Sequence, residues 1–215
     1  METEALLRDL NDRIGFIGRF YLQAVRPFEA TQREIVLKKQ AALLTGDGSD
    51  NELAEEKWKE ATKCVELLGH CCLSLLEKAL HDYLRKFAHR ELLVIKKSGN
   101  WFRSFCKTLS ENTGFDWATC PVTYDQIEQI NLSRNDFTHD PDIDSDQPRQ
   151  SEHHYEKHPR SRFRDQLEGV VIAAVDGKEP DYPISLRVTK MGLFEAFADV
   201  RRFCEFVEVR TRSEP

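Results

Sequence analysis

The chain has 215 residues, 40% of them hydrophobic and 32% charged, with a formal net charge of −6. That length and balance fit one soluble globular domain, spanning residues 1–215, with a substantial core. The negative sign argues against a general nucleic-acid coat, which would be basic, while leaving room for an enzyme that handles a phosphate in one local pocket.

No apolar run approaches the roughly 20 residues that a membrane span needs. The acidic, amphipathic start Met1-Glu2-Thr3-Glu4-Ala5-Leu6-Leu7-Arg8 does not read as a secretory signal, so a cytoplasmic protein without membrane attachment is expected. The cysteines Cys64, Cys71, Cys72, Cys106, Cys120 and Cys204 show no C-x-x-C spacing and fall at or beside apolar positions. They read as reduced thiols rather than disulfides or zinc ligands.

In chain order, residues 3–44 read as helix, with apolar positions at Leu6, Leu10, Ile14, Ile17, Tyr21 and Val25 and a break at Pro27. Thr45-Gly46-Asp47-Gly48 is a breaker cluster, and Ser49-x-x-Glu52 is a capping box for the next helix. That helix carries Ala61, Val65, Leu68, Cys72, Leu75, Ala79 and Tyr83 on one stripe and runs to about Phe87, with Ile95 as an outer limit. Ser98-Gly99-Asn100 ends it, and a shorter helix follows from Trp101 to about Leu109.

Pro121 to His139 reads as a further helix, with Thr123 or Asp125 at its start. Residues 140–165 are polar and aperiodic and read as a mobile loop. The apolar run 170–175, the Asp176-Gly177 turn signal and the alternating Ile184-Ser185-Leu186-Arg187-Val188 predict a small β-hairpin over 169–188. Thr189 then caps a last helix with the stripe Leu193, Phe197, Val200, Cys204 and Val207. The expected fold is all-α, a bundle of four or five helices with that hairpin before the C-terminal helix.

The segment that carries chemistry is Asn131-Leu132-Ser133-Arg134-Asn135-Asp136-Phe137-Thr138-His139-Asp140-Pro141. The residue before a proline is pushed out of the α region, so the helix should stop near His139. Asn135 and His139 are then i, i+4 neighbours, with Arg134 in reach. A guanidinium binds phosphate in a planar fork at any working pH, an imidazole titrates near neutrality, and an amide orients either. Together they suit attack of an RNA 2′-hydroxyl on its adjacent phosphate, with no metal or other cofactor. DNA lacks that hydroxyl. A two-fold homodimer with the site at its interface would supply a second imidazole.

Arg134-x4-His139 at the end of a late helix in such a bundle resembles the HEPN domain family. Asn135 matches the polar residue that often follows the family's arginine, and Ile127, Ile130 and Phe137 match its packing positions. The resemblance implies a metal-independent endoribonuclease, dimeric, of a toxin–antitoxin, phage-defence or RNA-processing system. Arg134 and His139 would be catalytic and Asn135 orienting or substrate-binding, with an antitoxin or defence-system protein as a possible partner. Ser133 stands where the family often has an apolar residue. No tyrosine follows two places after His139, which sets the chain apart from toxins paired with a nucleotidyltransferase antitoxin.

Two other readings stand beside this one. Arg134 and His139 in a last helical turn favour the macrodipole for about 0.3–1 kcal/mol each, and Arg134 could pair with Glu128, Asp136 or Asp140, leaving a non-catalytic dimerisation, partner-binding or RNA-binding module. His153, His154 and His158 have metal-like spacing but no paired Cys, and read as solvated loop residues before a metal site. His70, His81 and His89 read as surface or satisfied groups, Trp58, Trp101 and Trp117 as anchors, and the basic cluster around Arg103 and Lys107 as a solvated face.

Overall fold

The computed structural model describes residues 2–45, 51–95, 100–139, 148–165, 168 and 184–212. It is helical almost throughout: α1 (Glu2–Ala24), α2 (Arg26–Thr45), α3 (Asn51–Arg90), α4 (Trp101–Thr113), a 3-10 turn (Trp117–Thr119), α5 (Tyr124–His139), α6 (Glu152–Lys157) and α7 (Lys190–Arg212). None of these helices is long and apolar enough to cross a membrane.

The break before Pro27 has a simple cause. The ring removes one backbone donor, while Val25 N still donates to Tyr21 O and Glu29 N to Val25 O, so the path bends at Val25 without unwinding. The stripe Leu10, Ile14, Ile17, Tyr21 and Val25 is buried as its spacing requires. The long α3 is the centre of the molecule. Its second half buries Cys72, Leu73, Leu76, Ala79, Leu80, Tyr83, Leu84 and Phe87, against which α1, α5 and α7 pack. Its first half pairs with α2 and leaves Leu53 and Trp58 exposed. Ser49 of the expected capping box lies outside the described residues.

Helix α3 stops at Arg90, with Leu92 in the left-handed region at φ 53°. Arg90 is held there by the buried Glu208 of α7 at 2.7 Å. Asn100 then opens α4 by accepting from Phe102 N and Arg103 N. Helix α4 continues past the expected Leu109 to Thr113, and Gly114 in the left-handed conformation closes it. Phe102, Phe105 and Leu109 enter the core beside Phe115 and the Trp117–Phe203 stack, whose ring centroids lie 5.4 Å apart.

Two expectations are revised between α5 and α7. Within the stretch read as a polar loop, Ser151 accepts from His154 N and starts the short helix α6. The alternating run 184–188 is extended, but the partners it has are Arg149 and Arg164, in isolated antiparallel bridges to Ser185 and Leu186. Leu186 N donates to Pro148 O and Arg187 N to Phe163 O. The other arm expected for the hairpin, 170–175, lies outside the described residues. Arg162 fastens this region to the bundle, donating to Asp199 of α7 at 2.6 Å and to Gln126 O of α5 at 2.7 Å. Thr189 caps α7 as its position predicts, accepting from Gly192 N. The six cysteines are free thiols, with Cys72, Cys106 and Cys204 buried and the others half-buried.

Candidate functional site

Helix α5 is unusual for a buried helix. Alongside the fully buried Ile127 and Ile130 it buries Glu128, Asn131, Ser133 and Asp136. Buried polar groups cost free energy unless bonded, so each must find a partner, and all but one does. Thr123 rather than Asp125 caps the helix, in a reciprocal pair with Gln126.

At its C-terminal end, Arg134 keeps about a third of its side chain open, at 35% exposure. Its Nη1 donates to Asn135 Oδ1 at 3.0 Å, and its Nε lies 3.8 Å from Oε2 of Glu77 on α3. A line of amides extends from there. Asn135 Nδ2 reaches Asn131 Oδ1 at 3.5 Å, and Asn131 Nδ2 reaches Asn100 Oδ1 at 3.4 Å, the oxygen that caps α4. The guanidinium is therefore positioned from α3, α4 and α5 at once. His139 is the last residue of α5, as the following Asp140-Pro141 predicts, and its side chain lies outside the described part of the structure. Arg134 and Asn135 are thus brought together, and the carboxylate beside Arg134 is Glu77 rather than Glu128 or Asp136, while Asp140 lies outside the described residues.

The other two carboxylates are taken by the histidines of the α6 region. His154 is fully buried, with Nδ1 2.6 Å from Asp136 Oδ2 and Nε2 without a partner. His158 Nε2 lies 3.1 Å from Glu128 Oε2. Burial pushes the Glu128 carboxyl up, but hydrogen bonds from Lys157, His158 and Tyr124 outweigh it and hold its pKa below the ordinary range. His153 is exposed on α6, so the three histidines do not converge on one site. That corrects both the solvated-loop and the shared-metal reading of them.

Asp125, Glu128 and His158 do bring one donor atom each within 4.8 Å of one another. Lys157 Nζ already sits 2.8 Å from Glu128 Oε1, and Tyr124 donates to the same oxygen at 3.1 Å. An ammonium thus supplies the positive charge that a metal would bring there.

On α3, His70 is buried with neither ring nitrogen bonded, its ring flat on Phe137 of α5 at 4.6 Å and 6°. It is a buried group rather than a surface one, with the Leu186 backbone as a polar neighbour. Burial drives its pKa down to about 4, with the Leu186 backbone opposing. His81 packs edge-on against Trp101 at 4.5 Å.

Sequence reasoning missed Glu77, Asn131, Glu128 and His154 as members of this network. The signal was present as spacing. His70, Ser74, Glu77 and His81 step by four and three along α3, and Tyr124, Glu128, Asn131 and Asn135 do the same along α5. Each is a polar stripe on a helix whose apolar residues had already declared it buried. No protein-family model, curated protein or solved structure matches this chain.

Proposed function

We propose that the chain is a metal-independent endoribonuclease of HEPN type, a helical bundle that works as a homodimer with Arg134, Asn135 and His139 at the interface. The observation that supports this reading is the Arg134 side chain at the end of α5, about a third exposed and held by Asn135 and Glu77, five residues before His139. In the proposed reaction an imidazole takes the proton of a 2′-hydroxyl, and that oxygen bonds to the adjacent phosphorus. The bond to the 5′-oxygen breaks, and the leaving oxygen takes a proton from the partner subunit's imidazole. The products are a 2′,3′-cyclic phosphate end and a 5′-hydroxyl end. Arg134 stabilises charge on the five-coordinate phosphorus, and Asn135 holds the guanidinium plane. Toxin, phage-defence or RNA-processing roles, with a controlling antitoxin or defence protein, are the settings in which such an activity belongs.

The test is incubation of pure protein with single-stranded RNA in EDTA. Cleavage leaving cyclic-phosphate ends is expected, with His139→Ala and Arg134→Ala each slower by on the order of 100-fold or more. Cleavage that needs added metal, or that survives both substitutions, refutes the assignment.

A second reading rests on the closeness of Glu77, which already offers Arg134 a carboxylate. In it the same helix end is structural and the chain is a non-catalytic module that dimerises or binds a partner or RNA. RNA binding or partner capture without strand scission, unchanged in Arg134→Ala, favours that reading.

A further inference from the structure

The polar stripe of α5 does not end at Asn131. Tyr124, Glu128, Asn131 and Asn135 share one helix face, and its first two members line an open cleft bounded by α4, the Trp117 turn, the start of α5 and α6, with the buried Asn131 between the cleft and the Arg134–Asn135 pair. The cleft has a volume of about 460 Å³, within the usual range for small-ligand sites. Arg103 and Lys107, one turn apart on α4, line it with Lys157, Trp117 and Tyr124.

The charges favour an anion. Lys157 and His158 are committed to the two oxygens of Glu128, which leaves Arg103 and Lys107 against one further lining carboxylate, Asp125. Arg103 makes no side-chain ion pair among the described residues. Among the described residues Lys107 pairs with Glu111, at 3.7 Å between two exposed side chains, a contact of little strength that a phosphate can displace. The aromatic groups supply the other half of a nucleotide's chemistry. Trp117 stacks one face on Phe203 and meets Tyr124 and Phe115 edge-on at 5.5 and 5.1 Å, and Tyr124 stacks on Phe102 at 5.4 Å, so the two half-buried rings form a rigid apolar wall of the cleft.

The geometry points to this cleft as the subsite for a nucleotide of single-stranded RNA next to the scissile bond, with Arg103 and Lys107 on its phosphate and Trp117 and Tyr124 against its base. Seven helical residues separate Glu128 from Asn135, a rise of about 10 Å, on the order of one or two nucleotides of extended strand. The inference rests on the RNA reading above, and names the residues that hold substrate rather than those that cut it.

The experiment uses the full chain and a fluorescein-labelled, fully 2′-O-methylated RNA octamer, which cannot be cleaved by 2′-hydroxyl attack. Anisotropy gives Kd across a salt series for the wild type, for Arg103→Ala/Lys107→Ala, and for Arg33→Ala/Lys38→Ala on α2, which removes equal charge elsewhere. All four side chains are exposed, so folding is retained and is checked by circular dichroism. The cleft variant should bind at least 10-fold more weakly, with a salt slope reduced by about 0.7 for one phosphate no longer neutralised. The α2 variant should stay within 2-fold of wild type. A cleft variant that binds like the wild type, or no better and no worse than the α2 variant, overturns the subsite. Cleavage of unmodified RNA is followed in parallel. Cleavage by the wild type with an unaffected cleft variant removes the subsite and leaves the nuclease. Binding lost in the cleft variant, with no cleavage by any form, keeps the subsite and removes the nuclease. Neither binding nor cleavage by the wild type removes both.

Discussion

Replacing His70 by phenylalanine should make the protein less sensitive to acid. His70 is 2% exposed, neither ring nitrogen has a partner within hydrogen-bond geometry among the described residues, and the Leu186 backbone nearby offsets the burial only in part. Its flat contact with Phe137 is one that a phenyl ring can reproduce. Burial lowers its pKa from an ordinary 6.5 to about 4. Between those pH values the unfolded chain binds a proton that the folded chain refuses. Stability therefore rises with pH through this window and is lost as pH falls from 6.5 towards 4. At about 1.36 kcal/mol per pH unit, the loss attributable to this one ring is about 3 kcal/mol. Urea unfolding at pH 7 and at pH 4 measures it. With a slope of about 3 kcal/mol/M for a chain of this size, the wild-type midpoint should fall by about 1 M more than that of His70→Phe. Other titrating groups, including Glu66 one turn away, whose pKa burial raises, are present in both proteins and cancel in the difference. Parallel pH dependence of wild type and variant would falsify the account, because it would mean that the folded state accommodates the imidazolium.

Ser133→Ala should be neutral or stabilising by up to about 1 kcal/mol in the same assay, since it removes a fully buried hydroxyl with no hydrogen-bond partner; a loss above that amount would mean that the hydroxyl is bonded after all. Gly69→Ala should destabilise by about 2 kcal/mol in thermal or urea unfolding, because a Cβ there would meet Val188 O at 2.6 Å, and a backbone contact cannot step aside. The helix-propensity gain of about 1 kcal/mol works against that cost, so a variant more stable than wild type would show that the 184–188 segment does not press on α3 as described.

Much of the helical framework was legible from local rules. The break near Pro27, the cap at Thr189 and the end of α5 at His139 depend on neighbours a few residues away, whose influence does not need the rest of the fold, whereas Leu75 of the expected α3 stripe is 45% exposed and Leu73, Leu76 and Leu80 are buried instead. The region between α5 and α7 was read less well. Residues 152–157 have no apolar stripe, so periodicity marks them as loop. Their helix is fixed instead by a Ser151 cap and by His154 meeting Asp136. The run 184–188 shows its extended conformation in its alternation, but a strand's partner is a long-range choice, and alternation carries no information about it.

The candidate site divides the same way. Helical geometry puts the backbones of Arg134, Asn135 and His139 within one turn and a half whatever surrounds them, and the sequence by itself determined that spacing. Which carboxylate meets Arg134 is decided by packing. Asp136 and Glu128 are nearer along the chain, yet α6 takes both, and Glu77 arrives from another helix fifty-seven residues earlier. Only the tertiary structure could decide that, because a buried charge takes whichever partner the folded core leaves within reach, and separation along the chain does not limit that choice.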